Sequence, residues 1–116
     1  MPESLEAKIL FDADKLDATG TMGIARTLIY KGTISEPIYT LLPDGSVSNG
    51  ENDINPSFFQ EYKYKLEKVY SNFYTVEAKL IAKKRQESAV AFYNSLYAEV
   101  KSSYENGKEE LGKVLQ

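Results

Sequence analysis

From Thr75 to Tyr104 the apolar residues recur at helical spacing, and this stretch constrains the fold more than any other. Val76, Leu80, Ile81, Ala89, Val90, Tyr93, Leu96, Tyr97, Val100 and Tyr104 form its apolar set. The polar run at 83–88 predicts either an exposed middle or a break into two helices. Thr75 stands where an N-cap belongs, and Asn106-Gly107 predicts the stop. The helix before it starts at Pro56 or Ser57 and carries Phe58, Phe59, Tyr62, Leu66, Val69, Tyr70 and Phe73 on one face. Glu61, Lys65, Glu67 and Lys68 make the opposite, solvated face.

Two further helices open the chain. Residues 4–18 read as one, capped by Ser4 and stopped by Gly20, with Leu5, Ile9, Ala13 and Leu16 at spacings of three and four. The next runs from Met22 or Gly23 to Tyr30 and is closed by Gly32. Two glycines in the connection between them predict close packing of one helix start against a neighbour. The pattern is lost at about 32–56, where Pro37, Pro43, Asp44-Gly45 and Asn49-Gly50 are turn formers. This long excursion predicts one hairpin arm turning at Pro43-Asp44-Gly45 and a mobile tip near 44–53. The expectation is an all-α single domain over residues 1–116, with four main helices.

Composition removes several function classes. With no cysteine, disulfide scaffolds and thiolate zinc sites are excluded. With no histidine, an imidazole base, an imidazole metal ligand and a Ser-His-Asp triad are excluded within these residues. A net charge of -3 argues against nucleic acid as a partner, and Lys63, Lys65 and Lys68 among tyrosines read as an amphipathic face. No apolar run reaches the roughly 20 residues of a membrane span, and the Met-Pro-Glu-Ser start is no signal peptide, so a cytoplasmic location is expected.

The chemistry is concentrated in Asp12-Ala13-Asp14-Lys15-Leu16-Asp17. At about 100° per residue, Asp12 falls with Lys8 and Lys15 in one polar sector, read as the water-facing side. Glu6, Asp14 and Asp17 fall inside a wide apolar arc, which predicts a helix surrounded by others. Two neighbouring inward carboxylates need a compensating cation. Pairing with Arg26 or a lysine answers that need, and so does a metal at Asp14. A set of acids alone, Asp14, Asp17, Glu6 and one more, is a further arrangement for Mg²⁺ or Mn²⁺.

The string AKILFDADKLDATGTMGIARTL, residues 7–28, resembles the last metal-ligand segment of HD-domain phosphohydrolases. Their small bacterial and fungal branch reads DADRLDAIGAIGIAR there. Lys65-Leu66 and the Ala82–Arg85 segment are similar to the family's following helical pair, in which Arg85 is read as structural. The resemblance implies an all-α fold and a divalent metal, Mn²⁺, Mg²⁺ or similar, acting on phosphate esters or nucleotides. It makes Asp14 the final metal ligand, with Asp12 and Asp17 as lesser alternatives. Asp17 is then a supporting group or the holder of a bridging water, and Arg26 either meets a substrate phosphate or pairs with Asp17.

The family's other ligands are a histidine and a histidine-aspartate pair upstream, and four residues precede Leu5. The chain therefore resembles the C-terminal half of an HD domain, catalytically incomplete alone. The expected partner is the missing N-terminal half, or a second copy meeting the exposed apolar helix faces. The contrasting expectation is a non-catalytic helical interaction module that retains the HD remnant.

Overall fold

The computed structural model describes residues 3–115. Its helices run in the order α1 (Leu5–Leu16), α2 (Gly20–Thr33), α3 (Phe58–Tyr64) and α4 (Val76–Leu115), with a 3-10 turn at Leu66–Lys68. Among the described residues the extended pairing is limited to one isolated antiparallel bridge, Leu41 to Val47. The all-α, four-helix expectation holds. At 1.5 Å per residue the 40 residues of α4 span about 60 Å. They set the long axis of a body measuring 68 × 24 × 23 Å.

The helix starts follow their caps. Ser4 Oγ accepts the Ala7 N–H at 3.0 Å, Ser57 Oγ the Gln60 N–H at 3.0 Å, and Thr75 Oγ1 the Ala78 N–H at 3.2 Å. The ends depart from expectation. α1 stops at Leu16 with Asp17 as its C-cap, and Gly20 takes the left-handed conformation expected of it (φ 68°) between the two helices but stands at the first position of α2. α2 continues through Gly32 to Thr33. α3 is far shorter than its apolar face predicts, because Lys65 (φ −123°, ψ −58°) leaves the helical region. Asn72, at φ 68°, then turns the chain toward α4. α4 passes through Asn106-Gly107 unbroken. One glycine costs about 1 kcal/mol in a helix, which a run of good helix formers on both sides offsets. The polar run at 83–88 is an unbroken part of α4, exposed except at the half-buried Arg85 and Gln86.

Phe58, Phe59 and Tyr62 of α3 form the centre of the core, against Ile24 of α2 and Ala89 and Tyr93 of α4. Tyr62 and Tyr93 stack at 4.2 Å between ring centres, and Phe59 meets Tyr93 edge-on at 5.4 Å. A smaller cluster gathers Phe73, Ala78 and Ala82, with Leu16 and Tyr70 packed on it.

The long excursion is fastened rather than mobile at its tip. The hairpin forms where expected, with Leu42 N–H donating to the Ser46 carbonyl at 2.8 Å. Beyond it Val47 and Ser48 are buried in the molecule. Asp53 accepts from Thr40 Oγ1 at 3.0 Å and from Ser48 Oγ at 2.8 Å, bracing the two ends of the turn. Gly50 sits at φ +96°, and a Cβ there would lie 2.2 Å from the Phe59 carbonyl. Only glycine lets the loop approach α3 so closely.

Candidate functional site

α1 is turned opposite to the expectation from its sequence. The sector carrying Lys8, Asp12 and Lys15 faces the rest of the chain. Asp12 is 2% exposed, and its carboxylate accepts the Tyr74 N–H at 2.9 Å and the Thr75 N–H at 2.7 Å. It therefore satisfies backbone donors at the start of α4. Burial acts to raise the Asp12 pKa, but those N–H groups, the Thr75 side chain and the Lys15 charge outweigh it and hold the carboxyl below the usual aspartate value. Lys15 donates to the Ser71 carbonyl and lies 4.9 Å from the Phe73 ring centre. Apart from Leu16, which packs on the smaller cluster, the apolar arc points away from the body, with Leu5 and Leu10 each 69% exposed. Asp14 is exposed, and its carboxylate has no hydrogen-bond or ion-pair partner among the described residues. The expected positions of Asp12 outside and Asp14 inside are both reversed. An angular reading finds the apolar face, but it cannot tell that an aspartate is needed as the cap of a distant helix.

The ends of α1, α2 and α3 enclose a groove of about 460 Å³ lined by Asp14, Asp17, Arg26, Lys31, Glu61 and Lys65, among others. Its geometry rests on the tight α1–α2 connection. A Cβ on Gly23 would lie 2.3 Å from the Ala18 carbonyl oxygen, so the first turn of α2 sits directly on the end of α1. Arg85 Nη1 donates to the Leu16 carbonyl at 2.8 Å and to Thr19 Oγ1 at 3.3 Å, pinning that connection to α4. The Tyr70 hydroxyl accepts the Gly20 N–H at 2.9 Å. Burial pushes the Tyr70 pKa up, only partly opposed by that N–H and by Arg85. The structural role expected of Arg85 is this latch.

Within the groove Arg26 pairs with Asp17 at 3.6 Å, with both side chains more than half exposed. Lys31 is buried and held by Glu36, with Glu61 Oε1 at 3.6 Å. The other Glu61 oxygen lies 3.6 Å from Lys65. Asp14, Asp17 and Arg26, all singled out from sequence, thus share one groove. Lys31, Glu61 and Lys65 line it too and were not legible as site residues. The Glu61-Lys65 spacing, four apart on a helix, gives only the signal of an ordinary surface pair.

Among the described residues no three Asp, Glu, His or Cys side chains converge to hold a metal. Glu6 does not line the groove, so the all-acid arrangement is not formed. These residues do not fit a metal by themselves. Among the described residues no helix is long and apolar enough to cross a membrane.

The same helical arrangement occurs in a solved HD-superfamily hydrolase from Bacillus thuringiensis, 30% identical, with a TM-score of 0.67. That match covers 83% of this chain and 46% of the other. The chain has the fold of part of the HD-superfamily hydrolases. The Lin1889 protein of Listeria innocua is similar at 35% identity and a TM-score of 0.69, over 84% of this chain and 48% of that one. YpgQ of Bacillus subtilis is similar at 26% identity and a TM-score of 0.68, over 84% and 46%, and has also been solved in complex with ADP. The chain spans about half the length of these structures. No family model and no curated protein matches it.

Proposed function

We propose that this chain is the C-terminal portion of an HD-type, metal-dependent phosphohydrolase acting on a phosphate ester or nucleotide. Asp14 is one metal ligand, and the histidine ligands lie in polypeptide outside these 116 residues. The observation that carries the reading is the state of Asp14. It is the aspartate of the A-D-K-L core, it lacks an internal partner, and it opens on the groove that Arg26 and Asp17 share. An exposed, unpaired carboxylate beside an arginine is available to a cation and to the anion that cation binds. The complex of YpgQ with ADP supports a nucleotide as the class of substrate. The same outside polypeptide covers Leu5, Ile9 and Leu10, each worth roughly 1.5–3 kcal/mol when fully buried.

No catalytic step is assigned to these residues alone, since one carboxylate does not complete a coordination sphere. The test supplies the N-terminal half of the Listeria innocua relative in trans and assays phosphate release from a nucleotide with Mn²⁺. Release with the wild-type chain and its loss with Asp14→Asn are expected. No release from two halves that both fold and associate would overturn the reading, and would leave a helical interaction module.

A further inference from the structure

We infer a second binding site, apart from the groove, in the pocket between α1 and the turn that leads into α4. It takes a small aromatic anion, with the ring against Phe11 and Phe73 and the acid group on Lys15. The pocket measures about 620 Å³ and is lined by Phe11, Lys15, Asn72, Phe73 and Tyr74. It shares no lining residue with the groove, and it stands whether or not the groove serves a phosphohydrolase. Small-molecule sites are concave, largely apolar or aromatic, and carry a few polar groups that fix orientation, within roughly 300–1,000 Å³. Three rings, one ammonium and one amide match that make-up.

The walls are held in place. The buried Asp12 carboxylate fixes the Tyr74 and Thr75 N–H groups, and the Phe11 ring meets the Tyr74 ring edge-on at 5.2 Å. Phe73 is anchored in the smaller cluster. Lys15 gives one of its three ammonium donors to the Ser71 carbonyl. That bond keeps Nζ 4.9 Å from the centre of the Phe73 ring and 6.0 Å from that of Phe11. An acid bound at Lys15 therefore has an aromatic face close by for the ring that carries it.

Charge selects the class of ligand. Lys15 is the one formal charge in the lining. Neither Lys15 nor Lys8, 5.9 Å over the Tyr74 ring, has a carboxylate at ion-pair distance among the described residues. Asp12 acts on Lys15 through its charge, but it is 2% exposed and its oxygens are taken by backbone donors. A cationic ligand would meet two ammonium groups, and a neutral one would leave Lys15 unanswered. Asn72, at φ 68°, adds an amide with no hydrogen-bond partner among the described residues.

The experiment is equilibrium dialysis of the full chain against 2-naphthoate, with the uncharged 2-naphthamide as control. Saturable binding of naphthoate is expected, with the amide about tenfold weaker. Lys15→Gln should weaken naphthoate about tenfold and bring the two probes level, a change that mere loosening of the fold would not produce. Lys15→Arg should keep the preference for the acid. Phe11→Ala, at a half-exposed side chain, should weaken both probes about fivefold. Leu10→Gln, on the outer face of α1, should leave both unaltered. Circular dichroism verifies the fold of each variant. No saturable binding, or equal binding of acid and amide to the wild-type chain, overturns the site. Binding that falls with Leu10→Gln and ignores Lys15→Gln and Phe11→Ala overturns it too.

Discussion

Asp12 and Asp14 are two residues apart on one helix and do unlike work, because one turns to the start of α4 and the other to open space. The depressed Asp12 pKa makes its contribution a pH-dependent one. A folded-state value below the unfolded one gives stability that is present above about pH 4 and lost as pH falls through the folded pKa. Asp12→Ala should lower the thermal midpoint by about 5 °C near neutral pH. Asp12→Asn should flatten the dependence of stability on pH between about 5 and 2, read by chemical denaturation across that range. Tyrosines set the opposite limit. Burial, with the Glu67 charge and Tyr70 adding to it, pushes the Tyr62 pKa up to about 12, and burial pushes Tyr93 up as well. Groups raised in this way stabilise the fold below their ordinary value, and that stability is lost as pH rises through the folded pKa. Phenolate absorbance should therefore show a late-titrating class above about pH 10 that ionises together with loss of helical signal. Early ionisation of all nine tyrosines would contradict that packing.

Helices were legible in this chain wherever a cap and an apolar period agreed. Ser4 and Thr75 serve as read, and Ser57 caps where one of the two expected starts fell. The ends were less legible, because glycine is a stop signal only when the chain takes a left-handed turn there. Gly107 does not, and α4 runs on. The early end of α3 was also hidden. Its apolar residues keep helical spacing past Tyr64, yet Leu66 packs in the main core and Phe73 in the smaller cluster, after the chain has left the helix at Lys65. Asp14, Asp17 and Arg26 were found through their motif, whereas Lys31 and Lys65 depend on how three helix ends meet. Past Tyr104 the side chains of α4 make little contact with the body, and Leu111 and Val114 are exposed. Removing the chain from Gly107 onward should shift the thermal midpoint by less than about 2 °C, followed by circular dichroism. A large drop would show that this overhang is held.

As a whole the molecule keeps its core near α3 and leaves α1 apolar on its outer side. The chain spans about half of the structures it resembles, and under the proposed reading its open face is where the other half would sit. Alone, it should self-associate through that face. The double variant Leu5→Glu/Leu10→Glu should reduce the apparent mass by light scattering toward that of one chain, with helicity retained. An unchanged mass would move the association to another surface.

The attachment of α1 through its charged side has an opposite counterpart in how solvent acts on it. Beside the contact of Leu16 with Phe73, Ala78 and Ala82, its seam with the start of α4 is held by the Asp12 carboxylate on two backbone N–H groups, and that part weakens in acid. Its outer surface exposes Leu5, Ile9 and Leu10, so sulfate-type salts make it adhesive. Acid below about pH 4 should thus loosen the helix from its own body, while salting-out conditions should fasten it to a neighbour, two responses that a conventionally amphipathic helix would not separate.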